Sequence, residues 1–116
     1  MASSSVITAD KVEGTAVYNP RGEKLGSIDD LVIDKVSGKT LYAIMSFGGF
    51  LGMGEKQHPL PWSTLNYDTK LEGYVVNLDK DMLEGAPSYD RGTTVDWTPD
   101  YGRRVNQYWK VEGEWP

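Results

Sequence analysis

The sequence predicts a mainly β domain with a short helical turn and a C-terminal amphipathic helix. Short runs of β-branched and aromatic residues alternate with turns that contain glycine or proline. The run "TLYAIMSF" is apolar on both faces, which indicates either a closed barrel with another element packed outside it or a subunit interface. A chain of 116 residues is long enough to bury a core as one domain, and without cysteine it must do so without disulfides.

The first half of the chain contains an arm and two predicted strands. Residues 1–11 are small and polar, and we expect them to form a flexible arm. Two β-rich runs then flank the turn "NPRGEK", whose proline and glycine are typical turn residues. The second run, residues 25–34, alternates irregularly because Ile28 is out of phase with the apolar residues after it. This irregularity predicts a β-bulge or a bend at Asp29 and Asp30.

A glycine-rich loop, "GGFLGMG" at residues 48–54, follows the strand that is apolar on both faces. It lacks the Lys-Ser/Thr pair of a phosphate-binding loop, and no helix follows it, so we expect a hairpin connection and not a nucleotide site. The next run places alternate residues on two faces, with His58, Leu60 and Trp62 on one and Pro59 and Pro61 on the other. Because proline cannot donate to a ladder, this strand is expected at a sheet edge or a barrel seam.

The C-terminal third contains a further strand, "GYVVNL", a single helical turn, "DKDMLEGAP", and a longer helix, "TPDYGRRVNQYW". Thr98 can cap the longer helix, and Pro99 suits its first position. Apolar residues then recur on one side of the helix at Tyr101, Val105, Tyr108 and Trp109. Gly102 weakens the helix by about 1 kcal/mol relative to alanine. We therefore expect docking of the aromatic stripe to stabilise it.

Three motifs make the chain similar to the PRC-barrel family. They are "N-x-x-G-E-K-L-G-x-I-D-D" at residues 19–30, "G-G-F-L-G-M-G" at residues 48–54 and "P-W-S-x-L" at residues 61–65. Each motif alone is weak, but together they are specific. The C-terminal "Y-G-R-R-V-x-x-Y-W" also resembles the tails of stand-alone bacterial members.

The resemblance implies a small antiparallel PRC-type β-barrel at residues 12–89, with the arm at 1–11 and a helical extension at 90–116. Related domains occur in the H subunit of photosynthetic reaction centres and in ribosome-maturation factors. There the domain binds and positions partners and is not known for catalysis. We see neither the transmembrane anchor of an H subunit nor the second barrel of a maturation factor, so we expect a stand-alone bacterial member.

Composition and charge exclude several classes of function. The formal net charge of −5 argues against a nucleic-acid partner, because a duplex-binding protein needs a basic face. The first residues contain neither a basic leader nor an apolar span, so we expect no membrane span and a cytoplasmic location. With one histidine and no cysteine, a metal site would have to be rich in oxygen ligands. The acidic residues of the predicted helical turn lack the alternating spacing of an EF-hand calcium-binding loop. We predict no metal, cofactor or catalytic residue.

We therefore expect a non-enzymatic interaction module that acts through protein contacts with an unidentified partner and forms a homodimer. The expected interface combines the glycine-rich loop, one face of the apolar strand and the C-terminal helix: Phe50, Leu51, Met53, Tyr42, Ile44, Tyr108 and Trp109. The alternative is a small-ligand or ion sensor at the barrel mouth, built on Asp29, Asp30 and His58. A lone histidine beside apolar neighbours is, however, typical of a packed structural residue. An RNA-processing accessory factor is a third hypothesis, which the net charge disfavours.

Overall fold

The computed structural model describes residues 6–47, 56–78 and 80–111. Its elements, in chain order, are α1 (Ala9–Val12), β1 (Ala16–Tyr18), β2 (Lys24–Ile33), β3 (Thr40–Phe47), β4 (Lys56–Pro61), a 3₁₀ turn (Trp62–Thr64), β5 (Asn66–Asp68), β6 (Gly73–Val75), α2 (Lys80–Glu84), β7 (Tyr89–Asp90) and α3 (Pro99–Trp109). The predominance of strands confirms the mainly β prediction, and α2 and α3 confirm the two predicted helical segments. The sequence did not predict α1, β5 or β7.

The strands form one seven-stranded sheet in the order β5-β6-β1-β2-β3-β4-β7. All neighbouring pairs are antiparallel except β1 and β6, which are parallel. The sheet is therefore mixed and not wholly antiparallel, because β6 returns beside β1 in the same direction. Among the described residues the ladder of hydrogen-bonded strands ends at β5 on one side and at β7 on the other.

The β2–β3 ladder contains the predicted bulge. Ile28 lies opposite Met45 and Asp30 lies opposite Ile44, so Asp29 is an extra residue on β2. An extra residue of this kind bends the strand and increases its twist. The prediction of a bulge at this point is confirmed.

The core lies on one face of the sheet and is closed by the two short helices. Val12 of α1 and Leu83 of α2 are both buried in it. The remaining members come from the strands and the segment after β6: Val17, Leu25, Ile28, Ala43, Met45, Leu60, Tyr74, Val76 and Leu78. Since the burial of one such side chain contributes about 2 kcal/mol, this cluster stabilises the packing of the short helices on the sheet.

The prolines of β4 lie where this strand forms an edge. β4 pairs with β3 along its whole length, but it pairs with β7 only at Lys56 and Gln57. Pro59 and Pro61 thus face no further strand among the described residues, so their missing N–H groups leave no ladder bond unmade. This confirms the prediction of an edge or seam.

α3 begins as the sequence predicts. The Thr98 side chain accepts a hydrogen bond from the backbone N–H of Tyr101 at 3.2 Å, and Pro99 occupies the first position. Lys110, in the left-handed conformation, ends the helix after eleven residues. Over the described ranges, no helix combines the length and the apolar character needed to cross a bilayer.

Candidate functional site

The side of β3 and β4 that points away from the core forms a second apolar surface. Ala43 and Met45 belong to the core, so the alternating residues of β3 point to the opposite side. The ladder places Tyr42 opposite Pro61 and Ile44 opposite Pro59, and residues directly opposite one another share a face. We call these four residues, Tyr42, Ile44, Pro59 and Pro61, the outer face.

The outer face is buried although it lies outside the core. Tyr42 exposes 2% and Ile44 exposes 3% of its surface, and both prolines are buried as well. The cover is α3, which packs against β4 and carries the fully buried Val105. β3 and β4 are therefore enclosed between the core and the C-terminal helix.

One tyrosine hydroxyl joins the outer face to α3. The Tyr42 hydroxyl donates to the Asn106 Oδ1 atom at 3.1 Å and lies 3.3 Å from the carbonyl oxygen of Gly102. Burial raises the pKa of Tyr42 above its ordinary value, so the hydroxyl keeps its proton and its role as donor. Asn106 is itself buried, and it satisfies part of its hydrogen-bonding capacity through this contact.

Trp97 extends the cover beyond the helix. Its ring stacks on Tyr42, with 5.4 Å between centroids and 24° between planes, and meets Tyr101 edge-on at 5.1 Å. The Arg104 guanidinium lies over the Tyr101 ring, 5.3 Å from its centroid. Sequence reasoning missed Trp97 because it precedes the helix and so falls outside the helical periodicity. Its signal is a large apolar residue directly before an N-cap, a position that often packs back on the first turn.

The predicted interface residues divide into two groups in the structure. Phe50, Leu51 and Met53 lie outside the described residues, so their part of the prediction stays a prediction. Tyr42 and Ile44 do not face outward to solvent, because α3 of the same chain occupies their face. Of the two explanations that the sequence left open for this strand, the structure shows an element packed outside the sheet.

Tyr108 and Trp109 also make contacts within the chain. The Tyr108 hydroxyl donates to the Met82 carbonyl oxygen at 2.6 Å, which ties α3 to α2. Trp109 packs against the edge of the core. Both side chains remain partly exposed.

The structure places two of the three candidate residues of the sensor hypothesis, Asp30 and His58, on opposite sides of the sheet. Asp30 lies opposite Ile44 and His58 lies opposite Met45, and these two neighbours on β3 point to opposite sides of the sheet. Strand alternation therefore separates the His58 imidazole from the Asp30 carboxylate, and the sensor hypothesis stays a prediction without this pair as a shared site.

His58 is a core residue. It exposes 3% of its surface, and its ring meets the Phe47 ring edge-on at 5.7 Å. Its Nδ1 atom has no hydrogen-bond partner among the described residues. Burial, together with the nearby positive charge of Lys56, lowers its pKa from 6.5 to about 4. The imidazole is thus neutral at neutral pH, and among the described residues no carboxylate accepts a hydrogen bond from its Nδ1 atom.

Asp29 and Asp30 lie near β7 instead. The Asp29 Oδ1 atom is 3.7 Å from the Arg91 Nη2 atom, and the Asp30 carboxylate accepts a hydrogen bond from the Leu31 N–H. Burial raises the pKa of Tyr89 to about 12, with smaller contributions from Tyr101 and the two carboxylates. In the part of the chain that the structure describes, no group of three or more acidic, histidine or cysteine side chains could hold a metal ion.

A comparison with models of known protein families identifies the family of this chain. The family described as the PRC-barrel domain matches residues 5–83. The chain belongs to the PRC-barrel family. No curated protein matches it.

The outer face and its cover fall on different sides of the family match. All four outer-face residues lie within the PRC-barrel segment at residues 5–83. The residues that cover them, from Trp97 to Trp109, lie beyond its end. The PRC-barrel segment itself thus presents an apolar outer face, and the C-terminal extension covers it in this chain.

Proposed function

We propose that this PRC-barrel protein is a non-enzymatic interaction module that acts through protein contacts and self-associates, and that its contact surface is the outer face. One observation carries the proposal. The family segment has an apolar face outside its core, and a segment beyond the family match covers that face.

The size of this surface supports a role in contact. Burying a side chain as large as tyrosine or isoleucine contributes about 2 kcal/mol, so an uncovered outer face would cost several kcal/mol. A domain with such a face needs a protein neighbour over it, either its own extension or another chain. The aromatic and proline composition of the face suits packing against a helix, which is the kind of partner it has here.

The arrangement of the polar groups favours this function over a sensor. The only histidine is buried on the core side of the sheet, opposite to the side of Asp30, which disfavours a ligand site that combines the imidazole with that carboxylate. The proposal also includes a cytoplasmic location and a further protein partner.

Two measurements test the proposal. Sedimentation equilibrium over a wide range of protein concentration is expected to show a mass that rises from one chain toward two. A thermal-shift screen with metabolites and metal ions is expected to show no stabilisation that grows with ligand concentration. A constant single-chain mass together with a saturable ligand response would favour the sensor.

A pair of matched substitutions links self-association to the outer face. Ile44→Asp places a charge on the outer face, prevents α3 from docking on it in either copy and is expected to abolish self-association. Ile33→Asp makes the same change on β2 at a side chain that is 46% exposed, and it should leave the mass unchanged. Circular dichroism of both variants verifies that the sheet is retained. Equal masses for the two variants would contradict a role for the outer face.

A further inference from the structure

The cover of the outer face is joined to the rest of the chain by a segment without regular structure. We call residues 91–96 the hinge and residues 97–109 the exchange segment, because Trp97 already contacts Tyr42. No helix or strand includes any hinge residue, and five of the six are exposed, with only Val95 half-buried. Six residues can span up to about 20 Å. The hinge is therefore long enough to carry α3 away from its own sheet.

The contact between the exchange segment and the sheet contains polar atoms that it does not satisfy. Tyr101 Oη and Trp109 Nε1 on α3 are buried with no hydrogen-bond partner among the described residues. The Gln57 Nε2 atom, on the strand against which α3 packs, is also buried without a hydrogen-bond partner among the described residues. Gln57 exposes only 4% of its surface. A buried polar atom that lacks a partner loses its hydration without compensation. Among the described residues these atoms gain no hydrogen bond from the closed contact, so opening it breaks none of theirs.

The exchange segment cannot stay undocked once it opens. An isolated helix shorter than about 12–15 residues is marginal in water, and α3 has eleven residues with Gly102 inside it. The aromatic side chains Trp97, Tyr101, Tyr108 and Trp109 would also be left in solvent. The segment therefore needs a surface to dock on, and a second copy offers the same surface: its outer face, the Met82 carbonyl that Tyr108 contacts and the part of the core that Trp109 covers.

We infer that the dimer forms by exchange of the C-terminal segment. In this dimer, residues 97–109 of each chain dock on the outer face of the other, and the hinge crosses between the two copies. Both chains use the same surfaces, so the contact closes with two-fold symmetry. The inference rests on the proposed self-association and adds the element that produces it.

Changing the length of the hinge tests the exchange. Deleting Thr93 and Thr94, both exposed, shortens the path back to the chain's own sheet. Inserting a four-residue Gly-Ser linker between them lengthens it. Sedimentation equilibrium is expected to show at least a tenfold lower dimer dissociation constant for the deletion and at least a tenfold higher one for the insertion, because short hinges favour swapping.

A complementation experiment tests the same inference by another route. Ile44→Asp spoils the outer face and leaves α3 intact, whereas Val105→Asp spoils α3 and leaves the outer face intact. Each variant alone is expected to be monomeric. A mixture of the two, with an affinity tag on one, should yield a heterodimer. In it, α3 of the Ile44→Asp chain docks on the unaltered outer face of the Val105→Asp chain.

The outcomes separate this inference from the function on which it rests. If the wild-type protein has the mass of one chain at every concentration, self-association fails and the exchange fails with it. If the wild type dimerises but both hinge variants keep its dissociation constant within twofold, only the exchange is overturned. The hinge variants alter exposed positions alone. The hinge-length experiment therefore still decides the question if an aspartate variant does not fold.

Discussion

The hydroxyl of Tyr42 offers the sharpest test of the contact between the sheet and α3. Tyr42→Phe removes the group that donates to Asn106 and retains the ring that stacks on Trp97. Asn106 Oδ1 then remains in a buried site without its donor. A net hydrogen bond is worth about 1 kcal/mol, and an acceptor left unsatisfied costs about 1–3 kcal/mol. We expect the free energy of unfolding to fall by about 1–2 kcal/mol.

Urea unfolding followed by tryptophan fluorescence measures this change, with all proteins at one concentration because self-association stabilises the folded chain. Tyr67→Phe is the matched control, since Tyr67 is 49% exposed and its ring meets Tyr74 edge-on. The control should stay within about 0.5 kcal/mol of wild type, as is usual for surface changes. Adding Asn106→Leu to Tyr42→Phe should restore part of the loss, because both polar partners are then gone. If Tyr42→Phe and the control are equally stable, the hydrogen bond does not hold α3 to the sheet.

Two further substitutions test the interior of the sheet. The pKa of His58 is near 6.5 in the unfolded chain and about 4 in the folded one, so the unfolded chain binds the extra proton between these values. Each pKa unit corresponds to about 1.4 kcal/mol. As the pH falls from 6.5 to 4, the free energy of unfolding of wild type should therefore fall by about 3 kcal/mol more than that of His58→Met. Equal acid losses in urea titrations of the two proteins would refute this. Gly26→Ala should cost about 2–3 kcal/mol, because its Cβ would lie 1.9 Å from the Ser46 carbonyl oxygen. Gly85→Ala, whose Cβ would meet only a side-chain hydroxyl at 3.1 Å, should cost less, and equal losses in thermal unfolding would contradict the close packing of β2 on β3.

Local signals in the sequence account for much of the fold. The bulge at Asp29, the cap at Thr98 and the edge position of Pro59 were predictable because each depends on a few neighbouring residues. The strands β5 and β7 were not predictable, since runs of three and two residues are too short to show an alternation of apolar and polar side chains. The parallel pairing of β1 with β6 joins residues far apart in the sequence, and no local pattern encodes it.

The candidate site shows the same division. The sequence indicated that the Tyr42 side of β3 needs a cover, because both faces of that strand are apolar. It could not say what the cover is, since that depends on where the hinge directs α3. The separation of Asp30 from His58 was not predictable, because their relative sides depend on the register of three strands, which composition does not reveal.

In the proposed dimer, the two copies associate through their outer faces. Isotope-filtered NOE spectroscopy on an equal mixture of labelled and unlabelled chains tests it most directly, at a concentration where sedimentation shows the dimer. The ring protons of Tyr42 and Trp97 lie within a stacked pair, and the account predicts cross-peaks between Tyr42 of one chain and Trp97 of the other. A dimer in which this contact occurs only within each chain would contradict it.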